Sequence, residues 1–269
     1  MSYWTWWFGD HWNAARRPSG RHRGRLTGVA ETPIVGVMSG PEEKVVDGTT
    51  KPALVVCVDV GSIPEGHFAW ATSDDREPTS DRKSIEALVE RISQALHAGQ
   101  SVALGLEAPL SIPDAQDPSS LGKKRDADGS RPWSAGAGAF ALATGLVQLR
   151  WILRELEPDL CGKGVAVSFD PRDLFSPQPV LVIWEAMVTG TAKRQESNSQ
   201  SADSDAHYAD AQTAADEFER LRRVGQLPQQ VPSCVSLAGM LVDALQLPKQ
   251  PRLADRSPVI VKPSEFCGA

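Results

Sequence analysis

The eight residues from Ala53 to Val60, ALVVCVDV, constrain this chain more than any other stretch of it. Seven of them are apolar, four are valine, and the run stops at Gly61. β-Branched side chains lose freedom in a helix and pack well on a pleated sheet, and a short apolar run without alternation describes a strand covered on both faces. Such a strand needs a layer of structure above and below it, so the sequence predicts an α/β protein with helices flanking its sheet. The exception inside the run is Asp59, a carboxylate near the strand's carboxyl end.

The segments that follow supply the other layers. Gly66 to Thr72 reads as a second strand, joined to the first through a short turn with Gly and Pro, which makes a hairpin. The polar stretch from Ser73 to Ser80 has room for a poor third strand. Ile85, Leu88, Val89, Ile92 and Leu96 recur at helical spacing, and Gly99 supplies the stop. Ser101 to Glu107 alternates, with Ser101, Ala103, Gly105 and Glu107 on one face and Val102, Leu104 and Leu106 on the other; Pro109 and Pro113 end it. Asp114 to Ala135 is a polar loop. Ala137 to Glu155 is a helix apolar around most of its circumference, as expected of one packed on a sheet. Val180 to Val188 is a further strand carrying Glu185. Ser197 to Asp205 is of low complexity, His207 to Arg222 is an amphipathic helix, and another helix spans Ser233 to Leu245. Strands and helices alternate through one region, which predicts one domain from about Pro52 to the end, preceded by a disordered Trp- and Arg-rich tail over residues 1–50.

Composition limits what such a domain can do. The chain of 269 residues carries 28 basic and 34 acidic side chains, a formal charge of −6. Met1 to Arg25 holds five arginines and one aspartate, leaving 23 basic and 33 acidic residues elsewhere, so +4 at the start is set against −10 in the remainder. No uninterrupted apolar run approaches the roughly 20 residues of a membrane span. Cys57, Cys161, Cys234 and Cys267 are far apart and form no C-x-x-C, which suggests reduced packing residues in a cytoplasmic protein. Trp4, Trp6, Trp7 and Trp12 precede the arginines, the reverse of a signal peptide's order. A tail of this kind can stack on bases or touch a membrane surface, or can be a plain disordered extension.

The chemistry-bearing residues gather at one end of the predicted sheet. A helical crossover places the Ser101 to Glu107 strand parallel to the first strand, so Asp59 and Glu107 both lie at carboxyl ends, where ligands gather in open α/β sheets. Two carboxylates at buried strand ends are costly unless a cation neutralises them, and hard divalent ions prefer oxygen ligands. On the helix from His207, Ala211, Ala214, Ala215, Phe218 and Leu221 form a packing face with His207 inside its arc and Asp210 on its flank. Small alanines would let this helix deliver Asp210, and with it His207, to the acidic end. Asp243, on the following helix, competes with Asp210 for third place.

These motifs, Cys57-Val58-Asp59-Val60-Gly61, Gly105-Leu106-Glu107-Ala108-Pro109-Leu110 and His207-Tyr208-Ala209-Asp210-Ala211, resemble those of the ribonuclease H-like superfamily. They are similar to the strand-one aspartate, strand-four acid and helix H-x-x-D-A of RuvC-type resolvases and of a family of uncharacterised predicted nucleases. In the latter a D-A-P-L motif is followed by a basic loop with Arg-x-x-Asp-like elements. Here Glu107 replaces the aspartate, and Lys124, Arg125 and Asp126 occupy a comparable place. Glu185 resembles an acid on that family's fifth strand. The resemblance implies a three-layer fold with a mixed five-stranded sheet, a C-terminal helical extension, and a two-metal phosphodiesterase. Asp59 would bridge two Mg²⁺ or Mn²⁺ ions, with Glu107 and Asp210 completing the ligand sets. Glu185 would be a fourth ligand or an acid behind the ligands, and His207 a group that orients them or transfers a proton. Lys123, Lys124, Arg125 and Arg131 would contact phosphates of a nucleic acid or nucleotide. Enzymes of the RuvC type often act as dimers.

Other signals lead less far. Gly136-x-Gly138-x-x-Ala141 matches a dinucleotide-binding pattern in letters, but no apolar strand precedes it, so these glycines are read as close helix packing. Asp59-Val60-Gly61-Ser62 resembles the first phosphate loop of actin-like sugar kinases, which need a second comparable domain. Two alternatives to a nuclease therefore stand: a non-catalytic binding or scaffold protein on the same fold, and a small-molecule phosphotransferase.

Overall fold

In a computed structural model of the chain, residues 52–74, 80–128, 132–188, 202–230, 234–250, 253 and 256–263 are described. The tail over 1–50, Arg131 and Cys267 lie outside them, as does most of the low-complexity stretch.

The apolar run forms strand β1, Ala53–Asp59, and β2, Ala69–Thr72, pairs with it antiparallel as the hairpin expectation requires. Helix α1, Ile85–His97, starts from Ser84, whose hydroxyl accepts the Ala87 N–H. It carries the chain to β3, Ser101–Leu106, which lies parallel to β1. Strand β4, Ser111–Pro113, follows, and then the long helix α2, Gly136–Lys163. Next come β5, Ala166–Ser168, and β6, Val180–Ala186, which is parallel to both β3 and β5. The last elements are α3, Ala202–Arg223; β7, Cys234–Ser236; α4, Leu237–Ala244; and β8, Ile260–Val261.

The main sheet runs β2-β1-β3-β6-β5, and β8 joins the carboxyl half of the β6 edge whose amino half pairs with β5. It is a mixed sheet of six strands among the described residues, against the five expected. Ser73 and Asp74 form a turn and Ser80–Lys83 a 3₁₀ turn, while residues 75–79, on which the possible third strand falls, lie outside the described residues. A separate two-stranded pair joins β4 to β7, which begins where the sequence predicted helix.

Alternation divides the interior into two layers. Leu54, Val56, Val58, Val102, Leu104, Leu106, Leu181 and Ile183 face a core shared with α1, α2 and α4. Val55, Cys57, Ala103, Val182 and Trp184 face the other way, against Ala214, Ala215 and Phe218 of α3. The predicted alternation of the β3 segment therefore holds. Helix α2 is longer than predicted because Leu156 and Leu160, buried in the core, hold it together past Pro158. By length and composition alone it is also the one helix among the described residues that could cross a bilayer, although Gln148, Arg150 and Arg154 interrupt its apolar run, as the sequence reading expects. Leu149, Ile152, Leu153, Leu156 and Leu160 pack into the core, whereas Phe140 and Val147 are 60% and 71% exposed. Packing on the sheet thus claims only part of the circumference.

The α3 layer closes through one tight contact. Trp184 is fully buried and stacks on Phe218 with ring centroids 4.6 Å apart. Its neighbour in register is Gly105, where an added Cβ would meet the indole at 2.3 Å. Gly105→Ala should therefore lose about 1–3 kcal/mol of stability through overpacking, measured by urea unfolding; a loss under about 0.5 kcal/mol would show that the indole shifts at little cost.

Candidate metal centre

Backbone geometry brings the first two acids together. Asp59 is the last residue of β1, and Glu107 follows β3 directly, its N–H donating to the Val58 carbonyl at 2.8 Å and extending the parallel ladder by one step. Both belong to the face that α3 covers. The fully buried Ala211, Ala214 and Ala215 let α3 lie close to the sheet, which places Asp210 over the same end. Carboxylate oxygens of Asp59, Glu107 and Asp210 lie within 4.8 Å of one another, a cluster that could hold a metal ion. Asp59 and Asp210 are buried and Glu107 is partly so.

Three ionised carboxylates this close repel strongly. At an effective dielectric constant of about 20, each pair separated by nearly 5 Å costs roughly 3–4 kcal/mol. His207 brings a potential counter-charge to the cluster. His207 lies one helical turn before Asp210, and its Nδ1 is 2.6 Å from Asp59 Oδ2. The bond fixes the Asp59 carboxylate, and a protonated imidazole would offset part of its charge. The His67 ring, from the turn between β1 and β2, lies 5.5 Å from that of His207. Cys57 sits under the cluster on the same face of β1. Burial, then the charges of Glu107, Asp59 and Asp210, push its thiol well above the ordinary value, so it is a neutral packing group and no nucleophile.

Glu185 has another task. It is 1% exposed, and the Arg125 guanidinium meets it in a bidentate pair, Nη1 to Oε2 at 2.7 Å and Nη2 to Oε1 at 2.6 Å. The Leu110 N–H also donates to Oε2 at 3.0 Å. Of the two roles expected of it, a fourth ligand and an acid behind the ligands, the bidentate pairing with Arg125 fits the second. The phosphate contact expected of Arg125 is corrected. At 3% exposed it cannot contact a phosphate, since it also binds Asp128 Oδ1 through Nε and Nη2 and the Ser111 carbonyl through Nη1. Burial acts to lower the Arg125 pKa, but bonds and charge from Glu185 and Asp128 outweigh this and raise it further. The acid of the Arg-x-x-Asp element is thus Asp128, not Asp126. Of the remaining basic candidates Lys123 and Lys124 are exposed, with Lys123 Nζ donating to Ser120 Oγ at 3.0 Å.

The competition for third acid goes to Asp210, since Asp243 on α4 is exposed and paired with Lys249. Beyond the acids, α2 packs against the segment following Glu107. An added Cβ at Gly145 would stand 2.4 Å from that of Ala108, and Gln148 Nε2 donates to the Gly61 carbonyl at 2.7 Å. An added Cβ at Gly138 would meet the Pro132 carbonyl at 2.3 Å, as close packing expects, whereas one at Gly136, at φ 54°, would meet nothing within 4 Å, so Gly136 is kept by its backbone conformation instead. A cleft of about 240 Å³ opens from Asp59 and Glu107 toward the start of α2. Its wall residues Phe140, Met187 and Val188, like Asp128, carry no local signal that marks them in advance. Comparison with protein-family models, with curated proteins and with solved structures found no match.

Two outcomes follow for stability. Arg125→Ala strands two buried carboxylates and should cost about 3–5 kcal/mol in urea unfolding; a loss below about 1 kcal/mol would contradict the buried pairing. Glu107→Gln removes one charge from the cluster and should raise metal-free stability by about 1–2 kcal/mol, some 2–8 °C in Tm; a lowered Tm would mean that the acids are not in mutual repulsion.

Proposed function

We propose that the chain is a metal-dependent phosphodiester hydrolase, a nuclease or a close relative of one, on a ribonuclease H-like core. The observation that carries this reading is the convergence of Asp59, Glu107 and Asp210 within 4.8 Å. Their origin supports it as well: one acid from the first strand, one from the end of a parallel neighbour, and one from a helix that carries His-x-x-Asp in its first half, in a mixed sheet with helices on both faces. The donor chemistry fits a hard divalent cation. All three donors are carboxylate oxygens, and the nearby thiol of Cys57 stays protonated.

Asp59, Glu107 and Asp210 would hold Mg²⁺ or Mn²⁺, two ions in the fullest form of the proposal. Bound ions of this kind supply a water nucleophile at neutral pH and stabilise charge on the leaving oxygen. His207 orients the Asp59 carboxylate through Nδ1. Arg125 acts at one remove: by holding Glu185 and the Ser111 carbonyl it fixes the chain on either side of Leu110, and so the segment that presents Glu107.

Titration calorimetry with Mn²⁺ tests the proposal. Wild type should bind, and Asp59→Asn, Glu107→Gln and Asp210→Asn should each weaken binding about tenfold or more. All three should abolish Mn²⁺-dependent cleavage of bis(p-nitrophenyl) phosphate. A wild-type protein that takes up no divalent ion sinks the hydrolase and leaves the non-catalytic binding protein as the better reading.

A further inference from the structure

The cleft that opens from the acids has two unlike ends. Asp59 and Glu107 stand at one, and the opposite wall is apolar, built from Ala137, Phe140 and Ala141 in the first turns of α2 and from Met187 and Val188 beyond β6. Phe140 is 60% exposed, although Leu149 and Leu153 further along the same helix are fully buried. A large aromatic side chain left open to water inside a cleft is a surface for a ligand. Among the described residues that line it, Asp59, Glu107, Asp128 and Glu185 are charged and none is Lys or Arg. The described lining therefore offers an anion no cationic side chain, which a bound cation would supply, and the apolar wall suits a flat apolar group.

We propose that the cleft takes a single nucleotide unit, its base against Phe140 and Met187 and its phosphate toward Asp59 and Glu107. This rests on the metal reading of those acids. A nucleotide joins the two required features, a phosphate that a divalent ion can hold and a planar face that stacks on an aromatic ring. The volume, about 240 Å³, stands just under the range of small-ligand pockets, so only part of a nucleotide sits inside the cleft and a paired duplex does not fit. The −10 charge carried by the chain beyond Arg25 agrees, since a duplex is gripped through many basic contacts to phosphate.

The test is calorimetry on the full chain at saturating Mn²⁺, with AMP, ribose 5-phosphate, a single-stranded oligo(dA) and a duplex as titrants. AMP should bind about 5- to 150-fold more tightly than ribose 5-phosphate, the range that stacking of one base supports. Phe140→Ala should bring AMP down to the ribose 5-phosphate level with Mn²⁺ binding unchanged, and Phe140→Trp should keep the preference. Tighter binding of oligo(dA) than of AMP identifies a nucleotide carried on a strand, and the reverse a free nucleotide; either supports the proposal. Equal binding of AMP and ribose 5-phosphate, no effect of Phe140→Ala, or tightest binding of the duplex overturns it while the metal site stands. Absence of Mn²⁺ heat overturns both.

Discussion

Mutual repulsion among three carboxylates, held within 4.8 Å at the end of a buried sheet, is the constraint around which the described structure is arranged. Nothing local favours it. It is imposed by the parallel pairing of β1 with β3, which sets Asp59 and Glu107 side by side, and by the alanine face of α3, which lets Asp210 descend onto them. The interior responds in two ways: His207 is bonded to Asp59, and the Cys57 thiol beneath stays protonated in the negative potential. A divalent cation bound among the three acids would offset their charge further and stabilise the arrangement.

The neighbouring acid on β6 makes an instructive contrast. Glu185 pairs in register with Leu106, one residue before Glu107, yet it belongs to a different electrostatic group. Its counter-charge is supplied by Arg125, 60 positions earlier in the chain, and Asp128 completes the pairing. Buried pairs of this kind contribute little net stability compared with apolar packing, and their removal on one side is costly. What this one provides is position: it ties the loop carrying Arg125 to β6 and to the backbone at Leu110 and Ser111, directly after Glu107. The acid paired with a guanidinium and the cluster of three acids thus lie next to each other.

Much of this was legible in the sequence because it rests on local periodicity. The unbroken run at Ala53 marks a strand buried on both faces, the alternation from Ser101 assigns Glu107 to the face of Asp59, and the alanines after Asp210 mark a helix that lies close to a sheet. The features that escaped are those decided by distant partners. Strands β5 and β8 have three and two residues, too short for any period, and exist because the β6 edge is open to them. Glu185 and Arg125 each look like site residues alone, and only their meeting across 60 positions removes Arg125 from the phosphate-binding role. The end of α2 was missed because Pro158 reads as a stop, whereas Leu156 and Leu160 outweigh it by burial. Asp210 and Asp243 are equivalent by pattern, and packing alone separates them.

Crystals grown with Mn²⁺ and measured at the manganese absorption edge test the central claim most directly. Anomalous density should lie between Asp59, Glu107 and Asp210, with an oxygen of each about 2.0–2.6 Å from a peak, and with Glu185 still bound to Arg125. Absence of density there at millimolar Mn²⁺, or density coordinated by other residues while these three acids remain apart, would contradict it.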